Sequence, residues 1–261
     1  MKASCVLALG GLDPGGGAGI LADARAIVRA GAFPCAVATV LTVQSTRGMK
    51  RATPVDAKLW TEQARIVLRD QNVRAIKIGA LGSIGNVRAA AELLDAHARL
   101  PVVLDPVMLP TRGKARLLEE RALDAMRRAL VPHASIVMAN ATEAEVLAGA
   151  RVRDAAEARA AGRALLALGA GAVLVKGGHL RDARGVDVLV TRDRTLELTA
   201  TRLRLRRHVH GGGCVLASLV AGRFAVGDDV FDAVRFAKWV HHASLDDAVD
   251  VGGLDAVMLL K

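Results

Sequence analysis

Residues Cys5–Arg29 read CVLALGGLDPGGGAGILADARAIVR, and their pattern decides the fold. Cys5–Leu9 is a short unbroken apolar run, as expected of a strand buried on both faces. Gly10–Gly19 is a glycine-rich loop around Asp13 and Pro14. Ala18–Arg29 then spaces its apolar residues as a helix does. The loop is neither G-x-G-x-x-G nor G-x-x-x-x-G-K-[ST], so those two phosphate-binding signatures do not apply. It still allows backbone to approach a small ligand closely.

Further along, the same alternation continues. Strands are expected at Cys35–Val43, Ala75–Ile78, Val102–Asp105, Ile136–Ala139 and Ala172–Val175. Helices are expected at Val55–Gln71, Asn86–Ala98, Glu119–Leu130, Glu143–Leu147 and Ala155–Leu168. Asp187–Thr191 and Leu196–Leu203 break the rhythm and read as a hairpin turning at Asp193-Arg194. Gly211–Arg223 and Val230–Ala243 read as two closing helices. Strands alternating with helices predict an α/β fold, a mostly parallel sheet covered on both faces. One domain spanning residues 1–261 accommodates it.

Composition narrows the function. Hydrophobic residues make up 52% of the 261, enough for a large core. No run of about eighteen apolar residues occurs, so no membrane partner is expected. Met1-Lys2-Ala3-Ser4-Cys5 reads as the approach to a first strand, not as a secretion signal. Three cysteines without a C-x-x-C spacing support neither a disulfide framework nor a structural zinc site, which points to the cytoplasm. The formal net charge is +10, yet only eight of 36 basic residues are lysine and the arginines are scattered. The densest run, Arg202–Arg207, alternates like a half-exposed strand. With no tyrosine and 2% aromatics, base-stacking platforms are scarce and nucleic acid is not an expected partner. The charge suits an anionic nucleotide or phosphate ester.

In such a sheet, ligands bind beyond the carboxyl ends of the strands. The polar residues expected there are Asp13, Gln44, Lys77, Asp105, Asn140 and Lys176. His210-Gly211-Gly212-Gly213-Cys214 precedes an apolar helix. It fits an anion site at a helix start, with Cys214 as nucleophile or base, and equally a glycine turn with a buried cysteine. Asp23 lies one turn into its helix, where it either projects back to a ligand or is a solvated acid. Gln44 offers donors and an acceptor to a heteroaromatic ring with an amino group, or bonds backbone. Asp105 and Glu143 could hold Mg²⁺ together with nucleotide phosphates, or act as a cap and a surface acid. Lys176, beside Gly177 and Gly178, is either a phosphate ligand or a basic residue in a turn.

These blocks together resemble the hydroxymethylpyrimidine/phosphomethylpyrimidine kinases of the ribokinase-like superfamily. The resemblance is carried by Gly11–Asp23, Leu41–Gly48, Lys77-Ile78-Gly79, Asp105–Met108, Asn140-x-x-Glu143, Lys176–His179 and His210–Cys214, in family order. It implies a three-layer α/β/α sandwich and an ATP- and Mg²⁺-dependent kinase. The substrates implied are 4-amino-5-hydroxymethyl-2-methylpyrimidine and its monophosphate, in thiamine biosynthesis. By family role, Gly11, Asp23, Gln44, Ala80 and Val107 surround the pyrimidine. Asn140 and Lys176 serve the nucleotide, Asp105 and Glu143 the metal, and Gly211, Gly212, Gly213 and Cys214 the transfer itself. A homodimer is the expected assembly.

The chain departs from the family pattern near this site. Gly212 stands for a threonine, Leu12 and Leu21 for polar residues, Ala80 for a methionine and Val215 for a threonine. Val251-Gly252-Gly253-Leu254 lacks the family's histidine-glycine ending. Ala80 is expected to widen the pocket, which admits pyridoxal or pyridoxine as an alternative substrate. Gly212 admits a pyrimidine-binding relative with weakened transfer, in which case restoring threonine would raise the rate.

Overall fold

A computed structural model describes residues 2–109, 117–180, 185–199 and 208–260. Nine strands form one sheet: β1 (Cys5–Leu12), β2 (Phe33–Ser45), β3 (Gly48–Pro54), β4 (Val73–Ile78), β5 (Val102–Leu104), β6 (Ile136–Asn140), β7 (Ala172–Lys176), β8 (Val186–Thr191) and β9 (Thr195–Thr199). Their spatial order is β3-β2-β1-β4-β5-β6-β7-β8-β9. The strands from β2 to β7 pair in parallel, and β3, β8 and β9 add antiparallel edges. The expected hairpin turns at Asp193-Arg194, where Thr191 N–H donates to the Arg194 carbonyl at 2.9 Å. The rest of its second arm and the Arg202–Arg207 run lie outside the described residues.

Alternation within β1 shows the two faces directly. Cys5, Leu7 and Leu9 join one core cluster, and Val6 and Ala8 the other. The first cluster packs under α2 (Ala57–Asp70), α3 (Ile84–Asp95), α4 (Leu123–Ala125), α5 (Ala141–Ala148) and α6 (Ala155–Ala167). The second packs under α1 (Gly19–Arg29), α7 (Gly212–Val226) and α8 (Val230–Asp246). The result is the expected three-layer arrangement. α7 is apolar on nearly every side and is correspondingly the most enclosed helix.

Caps set the helix boundaries. Asp56, Ser83, Asp154 and Asp229 each accept from backbone N–H groups in the first turn of α2, α3, α6 and α8. Thus α2 and α3 begin at Ala57 and Ile84, shifted from the expected Val55 and Asn86. The expected helix Glu119–Leu130 is broken into a 3₁₀ turn (Glu120–Ala122), α4 and a π turn (Met126–Leu130). Asn86 lies inside α3 instead of starting it, and its amide donates to the Thr39, Val55 and Leu81 carbonyls at 3.2, 3.1 and 2.8 Å. Trp60 Nε1–H donates to Asn86 Oδ1 at 3.0 Å, so one amide ties β2, α2 and the β4–α3 turn together. A two-stranded parallel sheet of β10 (Val209–His210) and β11 (Ala256–Val257) fixes the approach to α7. Among the described residues no helix is long and apolar enough to cross a membrane.

Candidate active site

The carboxyl ends of β1, β2 and β4–β7 bring the expected residues to one edge of the sheet. Asp13 organises the first loop. Its Oδ1 accepts from Gly15 N–H and its Oδ2 from Ala18 N–H, both at 2.9 Å. His210 Nε2 lies 2.9 Å from the same Oδ2. Gln44, at the end of β2, brings its Nε2 to 3.0 Å from that ring nitrogen. Three segments distant in sequence therefore meet at His210. The loop closes against its ring: a Cβ on Gly17 would stand 2.5 Å from His210 Cδ2.

Asp23 is fully buried, which corrects the picture of a solvated acid. Both its oxygens accept from Lys77 Nζ at 3.0 Å, and Oδ1 also accepts from Ser218 Oγ at 2.8 Å. Its carboxylate thus holds a buried lysine. Burial opposes the charge of Lys77, but Asp23, Cys214 and Asp105 outweigh it and hold its pKa above the ordinary value. A lone buried ammonium would deprotonate instead.

Asn140 and Lys176 face each other at the ends of β6 and β7. Asn140 caps α5 in a reciprocal box: Oδ1 accepts from Glu143 N–H at 2.9 Å and Glu143 Oε2 accepts from Asn140 N–H at 2.8 Å. The cap and the strand-end site are one structure, not competing readings. Lys176 Nζ lies 3.0 Å from Asp105 Oδ1 and 3.8 Å from Glu143 Oε2. Burial, reinforced by Asp105, pushes the Glu143 pKa up to about 7 against the pull of Lys176. Burial also works against ionisation of Asp105, but Lys176, Lys77 and the Cys214 thiol overcome it and lower its pKa. Asp105 Oδ2 is buried without a hydrogen-bond partner.

Gly211 starts α7 in the left-handed region (φ 80°), where a side chain would also run into the Gly17 carbonyl. The N–H groups of the next residues have no partner within their helix. Lys176 Nζ stands 3.2 Å from where a Cβ of Gly213 would be, so a cation adjoins those donors. At Cys214 the expectation of a helix-activated thiolate is not met. Burial, with Asp105 and Asp23, pushes its pKa up to about 12, although Lys77 and Gly19 N–H pull the other way.

The remaining wall is apolar. Ala80 packs in a small cluster with Val40, Met49 and Leu117, and Val107 lies against it. A Cβ on Gly11 would meet Ala80 and Val40 at 3.7 and 3.8 Å. Met49, on the unexpected strand β3, is buried beside Ala80 and supplies methionine bulk to the region expected to be widened.

Sequence reasoning names Lys77 as a strand-end residue and part of the Lys77-Ile78-Gly79 block, without its partner Asp23, and does not single out Ser218, Met49 or His241. His241, on α8, places Nε2 3.0 Å from the Gly212 carbonyl. No local pattern marks it, because its partner lies 29 residues away.

A strand-end site with paired lysines, buried carboxylates and a glycine-rich helix start, on a sheet covered on both faces, defines a small-molecule kinase of ribokinase-like fold. A family model described as phosphomethylpyrimidine kinase matches residues 13–258, and the chain belongs to that family. It is 37% identical over 255 residues to the hydroxymethylpyrimidine/phosphomethylpyrimidine kinase of Escherichia coli (strain K12), covering 97% of this chain and 95% of that protein. The corresponding enzyme of Streptomyces coelicolor is 40% identical, with 95% and 91% covered. The crystal structure of phosphomethylpyrimidine kinase from Clostridium difficile 630 superposes with a TM-score of 0.79 at 31% identity, covering 90% of this chain and 96% of that one. Bacillus subtilis pyridoxal kinase, solved as an ADP complex, shares the fold at a TM-score of 0.89 and 24% identity, with 98% and 97% covered.

Proposed function

We propose that this chain is an ATP-dependent kinase that phosphorylates 4-amino-5-hydroxymethyl-2-methylpyrimidine and its monophosphate, as its relatives' names describe. The observation that carries the reading is the juxtaposition of the Gly211–Cys214 helix start with Lys176, Asp105 and Glu143. Free backbone donors and a lysine at a helix start favour the γ-phosphate there. Gln44 and the Gly11–Val40–Ala80–Met49 wall lie on the side suited to a small flat ring.

The hydroxymethyl oxygen would attack in line, with catalysis from positioning and charge stabilisation. Gly211, Gly212 and Gly213 contribute backbone, and Lys176 spreads positive charge over the transferring group. Asn140 and Lys176 serve the nucleotide. Cys214, held as a thiol, orients the alcohol more readily than it deprotonates it. Asp23 acts through Lys77 and Ser218, and Val107 lines the pyrimidine side.

Asp105 and Glu143 fit a Mg²⁺ ion. Asp105 Oδ2 is buried with no partner, and among the described residues no three-residue ligand cluster exists. Two carboxylates completed by phosphates match how this ion is commonly held. The ion would neutralise charge on the phosphates. A homodimer and a cytoplasmic setting complete the reading. The cysteines at 5, 35 and 214 are all free, which supports the second, and sedimentation at monomer mass would remove the first.

The test is an ADP-release assay with the pyrimidine, its monophosphate and pyridoxal side by side. Turnover of the first two above pyridoxal is expected. Turnover with pyridoxal alone would overturn the proposal.

A further inference from the structure

His210 Nε2 has two polar neighbours, and a single hydrogen must satisfy both. Asp13 Oδ2 is 2.9 Å away and Gln44 Nε2 3.0 Å. A carboxylate only accepts, so Nε2 must carry the hydrogen it gives to Asp13. Asp13 remains a carboxylate: burial works against its charge, but His210, Ala18 N–H and Gly15 N–H together lower its pKa. A hydrogen-bearing Nε2 cannot also accept from an amide –NH₂. With Gln44 Nε2 towards the ring, two donors would face each other, so the amide must turn over and bring its oxygen to that hydrogen. The two ends of a glutamine amide have nearly the same shape, so this chemistry alone decides the orientation.

We propose that His210, held by Asp13, is a positioning residue that fixes the Gln44 amide with its oxygen towards the histidine and its –NH₂ towards the substrate. The inference rests on the reading of Gln44 as the pyrimidine contact. It specifies what that contact recognises: a hydrogen-bond acceptor, namely an unprotonated ring nitrogen. The arrangement is built to hold. His210 and Asp13 are both buried. Gly17 packs on the ring edge, and β10 is pinned by its pairing with β11. Arg25 Nη2 donates to the Gly16 carbonyl at 2.5 Å and steadies the loop from its other side.

Two measurements test this on the full chain. In the ring-nitrogen ¹⁵N spectrum, His210 signals are assigned by their loss in His210→Gln. The expected result is a proton-bearing Nε2, and a bare Nε2 overturns the proposal. In kinetics, the pyrimidine is compared with its analogue carrying C–H in place of the ring nitrogen beside the amino group. The wild type should show a KM about tenfold higher for the analogue, with kcat little changed. Asp13→Asn releases Nε2 from its tautomer, and the preference should shrink to about twofold. An undiminished preference in a variant that melts cooperatively overturns the proposal. Should Asp13→Asn fail to fold, the ¹⁵N spectrum of the wild type still decides. Unchanged KM in Gln44→Ala would instead remove the underlying reading of Gln44, whatever His210 does.

Discussion

His241 Nε2 lies 3.0 Å from the Gly212 carbonyl, and a Cβ on Gly212 would stand 3.3 Å from that same nitrogen. The ring therefore donates to the first turn of α7 and fills the space beside it. The carbonyl of Gly212 and the N–H of Gly213 belong to one planar peptide, so fixing one fixes the other. Freedom that glycine would bring to the turn proposed to bind phosphate is taken up by a side chain from α8.

This changes what Gly212→Thr should do. A larger side chain crowds His241 and threatens its hydrogen bond. The structure predicts a fall in kcat of about threefold or more, with a stability loss of about 1 kcal/mol. Steady-state kinetics and urea titration check both. A rate gain would revive the picture of transfer weakened by Gly212.

His241 also makes stability pH-dependent. Burial pushes its pKa down to about 4, although Asp187 and the Gly212 carbonyl favour its charged form. The unfolded chain binds a proton near pH 6.5, where the folded one does not. Stability from this group is therefore complete above about pH 6.5 and is lost as pH falls towards about 4. Glu143, raised to about 7, acts oppositely over much of that range: its share is complete below its unfolded pKa and is lost as pH rises through about 7. His241→Gln removes the first effect alone. Its melting temperature should drop less than the wild type's between pH 7 and pH 5. Equal drops would show that His241 does not titrate in this way.

At Cys214, a pKa of about 12 makes the thiol a poor nucleophile. Iodoacetamide should modify it slowly at pH 7.5, with a rate still climbing at pH 10. A plateau between pH 8 and 9 would contradict the burial argument. Cys214→Ser should keep more turnover than Cys214→Ala, since a hydroxyl can also orient an alcohol.

The Asp23–Lys77 pair allows structure and chemistry to be separated. Lys77→Met alone strands a buried carboxylate and should cost about 3–5 kcal/mol. Pairing it with Asp23→Leu should restore most of that loss, because the charged pair was costly to bury. Activity should stay low in both. Urea titration beside the kinetic assay distinguishes them, and a double variant no more stable than the single one would contradict the account.

How far the sequence could be read follows from where the information lies. β6 and β7 are apolar runs ending in a polar residue, β1 and β5 are followed at once by Asp13 and Asp105, and Asp105, Asn140 and Lys176 sit as that pattern requires. β3 was missed because Gly48–Pro54 carries Lys50 and Arg51 on a sheet edge, the composition that protects edges and resembles a loop. Its Met49 was missed with it. The broken helix near Met126 lacks a glycine, and its only proline, Pro132, lies beyond the break, so nothing local announces it. Asp13 and His210 are 197 residues apart, and Asp23 and Ser218 are 195 apart. Such pairs are fixed by topology. Motifs located the site, whereas the residues that hold its side chains in place were visible only once the strands were ordered.

The most direct test of the central claim is the product itself. The protein, ATP, Mg²⁺ and 4-amino-5-hydroxymethyl-2-methylpyrimidine are incubated together, and products are followed by ³¹P NMR and mass. The account predicts a monophosphate ester on the hydroxymethyl oxygen, followed by its diphosphate. ADP formation with the pyrimidine unmodified would contradict it.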